Sequence, residues 1–145
     1  MKAVIQRVSS ATVNVGTECV GKIGKGLLVF LGITHTDTDK QSEYVINKLL
    51  NMRLFENEKQ QLDKSVSDIG GGVLVVSQFT LYANTKKGRR PSFEDAAKPD
   101  EAERLYDRFV DRLKASHSTV QTGQFGAKMS VNIENDGPVT ILLEQ

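Results

Sequence analysis

The sequence predicts an α+β fold: layers of a mostly antiparallel, bent β-sheet covered on one side by two main helices, a β/β/α sandwich forming a single domain over 1–145. Three observations point to it. Strand-like alternation sits at both ends of the chain. Long apolar stretches, at 27–33 and 73–81, suit buried strands. Two segments with apolar residues at helical spacing follow those stretches.

Taken in order, Val4 and Val8 share one parity while Ala11, Val13 and Val15 share the other, so a bulge at Ser9-Ser10 is expected to bend a long first strand. Gly16-Thr17 reads as a hairpin turn into Cys19–Ile23, and Gly24-Lys25-Gly26 as another. Leu27–Ile33 is unbroken apolar sequence, as in a strand buried on both faces. Thr38 and Gln41 fit a capping box, and the helix they open places Val45, Leu49 and Met52 on one face. Gly70-Gly71-Gly72 precedes a strand instead of opening a helix, which fits a turn better than a phosphate cradle. Val73–Leu81 is expected as a second buried strand that becomes polar toward its end. Pro99 suits the first turn of a helix whose apolar stripe is Leu105, Phe109 and Leu113. The tail reads as two strands, marked by Met129, Val131 and Ile133 and by Val139, Ile141 and Leu143, with Asn135-Asp136-Gly137-Pro138 turning the chain between them.

Composition narrows the function classes. With 39% hydrophobic and 26% charged residues the chain is an ordinary globular one, and disorder is disfavoured. A chain of this size buries roughly 68–70% of its unfolded surface, enough for a core without staples. Cys19 is the only cysteine, so neither an internal disulfide nor a Cys-based zinc site can form. Lys2 and Arg7 interrupt the opening residues before any signal-like apolar stretch, and the run Leu27–Leu31 is far too short to span a bilayer. A cytoplasmic location and no membrane association are expected. The net charge of +1 leaves no footprint for bulk nucleic-acid binding. Locally, however, Lys86, Lys87, Arg89 and Arg90 crowd one stretch without an acid. Such a loop could hold a few phosphates but could not coat a duplex.

No Gly-x-Ser-x-Gly elbow, Walker loop or dinucleotide fingerprint is present, and no cofactor or metal site is expected. His35 and His117 lie far apart in polar surroundings and are expected at the surface. Two segments are unusual. In Ser77-Gln78-Phe79-Thr80-Leu81 a buried strand turns polar; its hydroxyls either satisfy local backbone or face a ligand at the sheet end. Asn135–Thr140 is either a plain turn or, with a cis Gly-Pro bond, a rigid element whose carbonyls could line a pocket.

Ser-Gln-Phe-Thr-Leu at 77–81 together with Asn-x-Gly-Pro-Val-Thr at 135–140 closely resembles the paired signatures of the D-aminoacyl-tRNA deacylase family. The loop Lys87–Phe93 and the opening Met1–Val8 resemble that family too, so the likeness spans nearly the whole chain. The resemblance implies an enzyme of chiral proofreading that hydrolyses the ester of D-aminoacyl-tRNA, and of glycyl-tRNA mischarged on tRNA for alanine. It further implies a homodimer with active sites at the subunit interface. There Gly137 and Pro138, in cis, would project their carbonyls into the partner's pocket and reject L-substrates, with Arg7 fixing their orientation. Ser77 and Gln78 would hold the amino group and ester, and the amides of Phe79 and Thr80 would stabilise the oxyanion, with Thr80 as a covalent nucleophile the alternative. Lys86, Lys87, Arg89 and Arg90 are the expected tRNA contacts. A non-catalytic nucleic-acid-binding domain and a related deacylase of inverted chiral specificity are the competing readings.

Overall fold

A computed structural model describes residues 1–145, and its organising element is β1 (Lys2–Val15), which lends both edges to other strands. One edge pairs antiparallel with β8 (Met129–Glu144) along its whole length. The other is shared end to end: Ala11–Val15 pair with β2 (Glu18–Ile23), and Lys2–Val8 with β3 (Gly26–Gly32). Ile23 faces Ala11 and Gly26 faces Val8, so the register does not slip between β2 and β3. Gly24-Lys25-Gly26 therefore does not reverse the chain as expected. It kinks a single arm that runs on along β1.

β3 pairs in parallel with β6 (Gly72–Ser77), and β6 in parallel with β7 (Val120–Thr122). Parallel neighbours need crossovers, and these contain α1 (Asp39–Asn51) and α2 (Pro99–Ser116) respectively. β4 (Phe55–Glu56) and β5 (Leu62–Lys64) form a small separate hairpin. Both helices start as expected, α1 from a Thr38–Gln41 capping box and α2 with Pro99 in its first turn. The glycine triplet is a turn into β6, and Gly26 and Gly72 let β3 and β6 start in close contact, since a Cβ on Gly26 would lie 1.9 Å from the Gly72 carbonyl oxygen.

Side-chain alternation sorts the residues into three layers, the expected β/β/α sandwich. Leu27, Val29 and Leu31 of β3 and Val73 and Val75 of β6 face the helices, packing with Val45, Leu49, Leu105, Phe109 and Leu113. Leu28, Leu74 and Val76 face the other way and pack with Val8, Ala11, Val13 and Ile23. Burial on both faces is why β3 and β6 read as continuous apolar runs. Ala3 and Ile5 lie in the helix-facing cluster, whereas Val8, then Ala11 and Val13, lie in the second. The buried parity thus changes between Val8 and Ala11, where the β1–β8 register also shifts. This is the bulge anticipated at Ser9-Ser10.

Three further expectations are corrected. The tail is one strand, not a hairpin: Asn135 pairs with Val8 and Thr140 with Gln6, so Asp136–Val139 loop out opposite Arg7 alone. β6 ends at Ser77, because β3 ends at Gly32 and offers no ladder partner beyond the bond from the Gln78 amide to the Leu31 carbonyl; Phe79–Tyr82 instead form a 3₁₀ turn. His117 is buried at the end of α2, where its Nε2–H donates to the Gly71 carbonyl over 2.7 Å, although His35 is exposed as expected.

The Tyr106 hydroxyl donates to the Val75 carbonyl over 2.9 Å, and burial pushes the phenol well above its ordinary value of 10.0. Burial pushes the Tyr82 phenol up likewise. A raised phenol pKa contributes stability that is fully present below about pH 10 and lost as pH rises toward the folded-state value. Denaturant unfolding followed from about pH 8 to about pH 11 should show stability falling only at the alkaline end. Tyr106→Phe should cost about 0.5–1.5 kcal/mol at neutral pH and make that alkaline fall shallower.

Candidate active site

β6 and β3 end side by side, Ser77 level with Leu31, and the chain then closes into the 3₁₀ turn. Within it the first bonded amide is that of Leu81, which donates to the Gln78 carbonyl over 3.2 Å. The amides of Phe79 and Thr80 precede it and so have no acceptor inside the turn. Beside the start of this turn opens a cavity of about 610 Å³ lined mainly by apolar side chains. Ser77, Gln78 and Phe79 form one wall; Phe93, Lys98, Pro99, Phe125 and Met129 are among the others. Phe79 meets Phe93 edge-on at 5.1 Å. Two exposed aromatic rings at a cavity mouth provide flat apolar surface for a ligand.

The Thr80 hydroxyl accepts a hydrogen bond from the Gln78 side-chain amide. Neither histidine is its partner, since His35 is held on the Glu94 carbonyl and His117 on that of Gly71. Thr80 therefore has no imidazole placed to take its proton. No group of three or more His, Cys, Asp or Glu side chains converges as a metal site would require.

The four basic residues lie on a loop closed by reciprocal backbone bonds between Asn84 and Ser92, at 2.8 and 3.0 Å. Lys86, Lys87, Arg89 and Arg90 are all exposed, and none makes an ion pair. Phe93 follows the closing residue, so the loop springs from the cavity's rim.

The second motif lies elsewhere. Gly137-Pro138 is a cis peptide in the outward excursion of β8. The Asn135 side chain holds the base of that excursion, donating to the Thr140 hydroxyl over 3.1 Å and accepting from the Val139 amide over 3.3 Å. Gly137 has φ +121°, and a Cβ there would come within 2.9 Å of an Arg7 guanidinium nitrogen, so only glycine fits. Arg7, 5% exposed, donates through Nε to the Asp136 carbonyl (3.1 Å) and through Nη1 to the Leu54 carbonyl (2.8 Å). The Asp136 and Glu56 carboxylates flank it at 3.4 and 3.7 Å.

Ser77, Gln78 and Phe79 thus come together at the cavity, Thr80 follows them, and Arg7, Gly137 and Pro138 form a separate group. Neither Gly137 nor Pro138 lines the cavity. By strand register the two groups stand about 13 Å apart along the strands and about 14 Å across three strand spacings. Sequence reasoning missed Lys98, Phe125 and Met129 as lining residues, and Leu54 and Glu56 as partners of Arg7. No motif marks them, because they come from segments distant in the chain.

No helix is long and apolar enough to cross a membrane. A relative from Aquifex aeolicus named "D-aminoacyl-tRNA deacylase" is 56% identical over 144 residues, 99% of this chain and 97% of that protein. One of the same name from Thermosipho melanesiensis is 51% identical over 145 residues, with the same coverage. A solved structure described as "c-Myc DNA Unwinding Element Binding Protein" superposes with a TM-score of 0.95 at 45% identity, covering 100% of this chain and 99% of that one. A second, "Structural Analysis of a probable eukaryotic D-amino acid tRNA deacylase", shares the fold at 20% identity and a TM-score of 0.86, covering 98% and 97%. The model of the family described as "D-Tyr-tRNA(Tyr) deacylase" matches residues 4–144, and the chain belongs to that family.

Proposed function

We propose that the chain hydrolyses the ester bond of D-aminoacyl-tRNA in the cytoplasm, releasing the free D-amino acid and the tRNA, and treats glycyl-tRNA mischarged on tRNA for alanine in the same way. One observation carries the reading: in a chain of this family, Phe79 lines a mostly apolar cavity, and its amide and that of Thr80, which follows it, are free within their own turn. Aimed at the ester carbonyl, two such donors stabilise the developing oxyanion, an effect worth about 3–4 kcal/mol per donor in hydrolases that use one. The aminoacyl ester is already labile, so fixed orientation and these donors suffice, with the terminal ribose hydroxyl assisting. Ser77 and Gln78 hold the amino group and the ester.

The chirality filter is Gly137-Pro138 acting in a partner subunit. The motif is exposed on the outer edge of β8 and distant from its own chain's cavity, which suits insertion into a second copy. A D-substituent on the α-carbon points away from its carbonyls; an L-substituent collides with them.

The solved structure named for a DNA element favours one rival, a non-catalytic nucleic-acid-binding domain. Incubation with D- and L-charged tRNA separates the readings: D-specific release is expected, no release supports the binding domain, and L-specific release supports inverted specificity. Thr80→Ala should retain much of the activity; a trapped acyl-threonine would show instead that the hydroxyl is a nucleophile. Neutralising two of Lys86, Lys87, Arg89 and Arg90 should weaken tRNA binding and flatten its log–log salt dependence by about one unit per lost contact. The trans filter has its own test. Phe79→Glu blocks one motif and Gly137→Val distorts the other, so each homodimer should be inactive. A heterodimer of the two should regain one intact site by symmetry, about half the wild-type number. No recovery in verified heterodimers would place both motifs in one subunit.

A further inference from the structure

We propose that Glu56, on the small β4–β5 hairpin, is a positioning residue that sets the orientation of the Gly137-Pro138 segment through the Arg7 guanidinium. The inference rests on the proposed role of that segment in chiral discrimination.

Three contacts make the hairpin a strut. Phe55 is 1% exposed and Leu54 7%, so the strand is anchored in the helix-facing core. Arg53 and Asp63 close the hairpin from outside at 2.9 Å. From this fixed base the Leu54 carbonyl accepts from Arg7 Nη1, and the Glu56 carboxylate stands 3.7 Å from Nη2. Arg7 also grips the excursion, through Nε and the Asp136 carbonyl.

The guanidinium is permanently charged and nearly buried, so its position follows its anions. Only two carboxylates reach it, Asp136 at Nε (3.4 Å) and Glu56 at Nη2 (3.7 Å). Asp136 belongs to the excursion and moves with it, whereas Glu56 belongs to the anchored strut. Without the Glu56 charge the guanidinium is drawn toward Asp136. Nη2 is also the atom that a Cβ on Gly137 would meet first, at 2.9 Å. A shift of Arg7 toward Asp136 therefore displaces Gly137 and the carbonyl beside it.

The decisive quantity is the ratio of D- to L-aminoacyl-tRNA hydrolysis rates in Glu56→Gln and Glu56→Lys. Gln keeps the shape and loses the charge; Lys puts a cation beside the guanidinium. The ratio should fall about threefold in the first and further in the second. A purely stabilising role would lower the active fraction for both substrates alike and leave the ratio unchanged. In parallel, glycine-selective 15N labelling should show the Gly137 amide resonance moving in Glu56→Gln while those of the distant turn glycines Gly16, Gly70 and Gly88 stay in place. A wild-type protein inactive on both substrates would refute the proposed function, and the Gly137 resonance would still decide whether Glu56 positions the segment. An unchanged ratio in variants of an active enzyme, or a stationary Gly137 resonance, overturns the inference.

Discussion

Arg7 carries a full positive charge to a position that is 5% exposed, and much of the second motif's geometry follows from how that charge is satisfied. An unpaired buried guanidinium would cost several kcal/mol, so the surrounding chain has to present acceptors. It does so with backbone as well as side chains: the Leu54 and Asp136 carbonyls accept directly, and two carboxylates stand close by. Because carbonyls are fixed to the main chain, satisfying the charge also fixes the path of two segments that are not neighbours in the chain. One is the β4–β5 hairpin and the other is the β8 excursion.

The excursion also depends on the bend of the ribbon. β8, β1 and the β2–β3 arm form three strands that all become irregular at one level, around Ser9-Ser10, Gly24-Lys25 and Asp136–Val139. The bend lets one long strand serve two layers, with Ala3 and Ile5 under the helices and Ala11 and Val13 against the central sheet. On the outer strand the additional length emerges as the Gly137-Pro138 segment. Arg7 stands opposite it, so the residue that needs acceptors lies where the chain has backbone to spare.

The other motif depends on a different constraint. Parallel pairing puts the ends of β3 and β6 together, and the ladder ends there because β3 stops at Gly32. A chain leaving a ladder must turn, and a tight 3₁₀ turn leaves its first amides without internal partners. Apolar residues from α2 and from the segment before β8 wall the space beside the start of this turn, and Phe93 links that wall to the basic loop. The two motifs are separated within one chain, and under the proposed function it is a second copy that brings them together.

Local pattern was sufficient for much of the molecule. The Thr38–Gln41 cap, the Pro99 start, the apolar stripes of both helices, the bulge at Ser9-Ser10 and the double burial of β3 and β6 all follow from neighbouring residues, whose periodicity records which faces are covered. Family likeness, carried by 77–81 and 135–140, was equally legible. Direction and partnership were not. Whether Gly24-Lys25 and Asn135–Pro138 reverse the chain or kink it depends on which strand offers an edge, and a turn-like composition serves both outcomes. The polar end of 73–81 became a 3₁₀ turn because its ladder partner ran out, and His117 was buried because Gly71 offered a carbonyl across the fold. Glu56 and Leu54 meet Arg7 across some fifty residues of chain, a proximity that only the packed core around Phe55 produces.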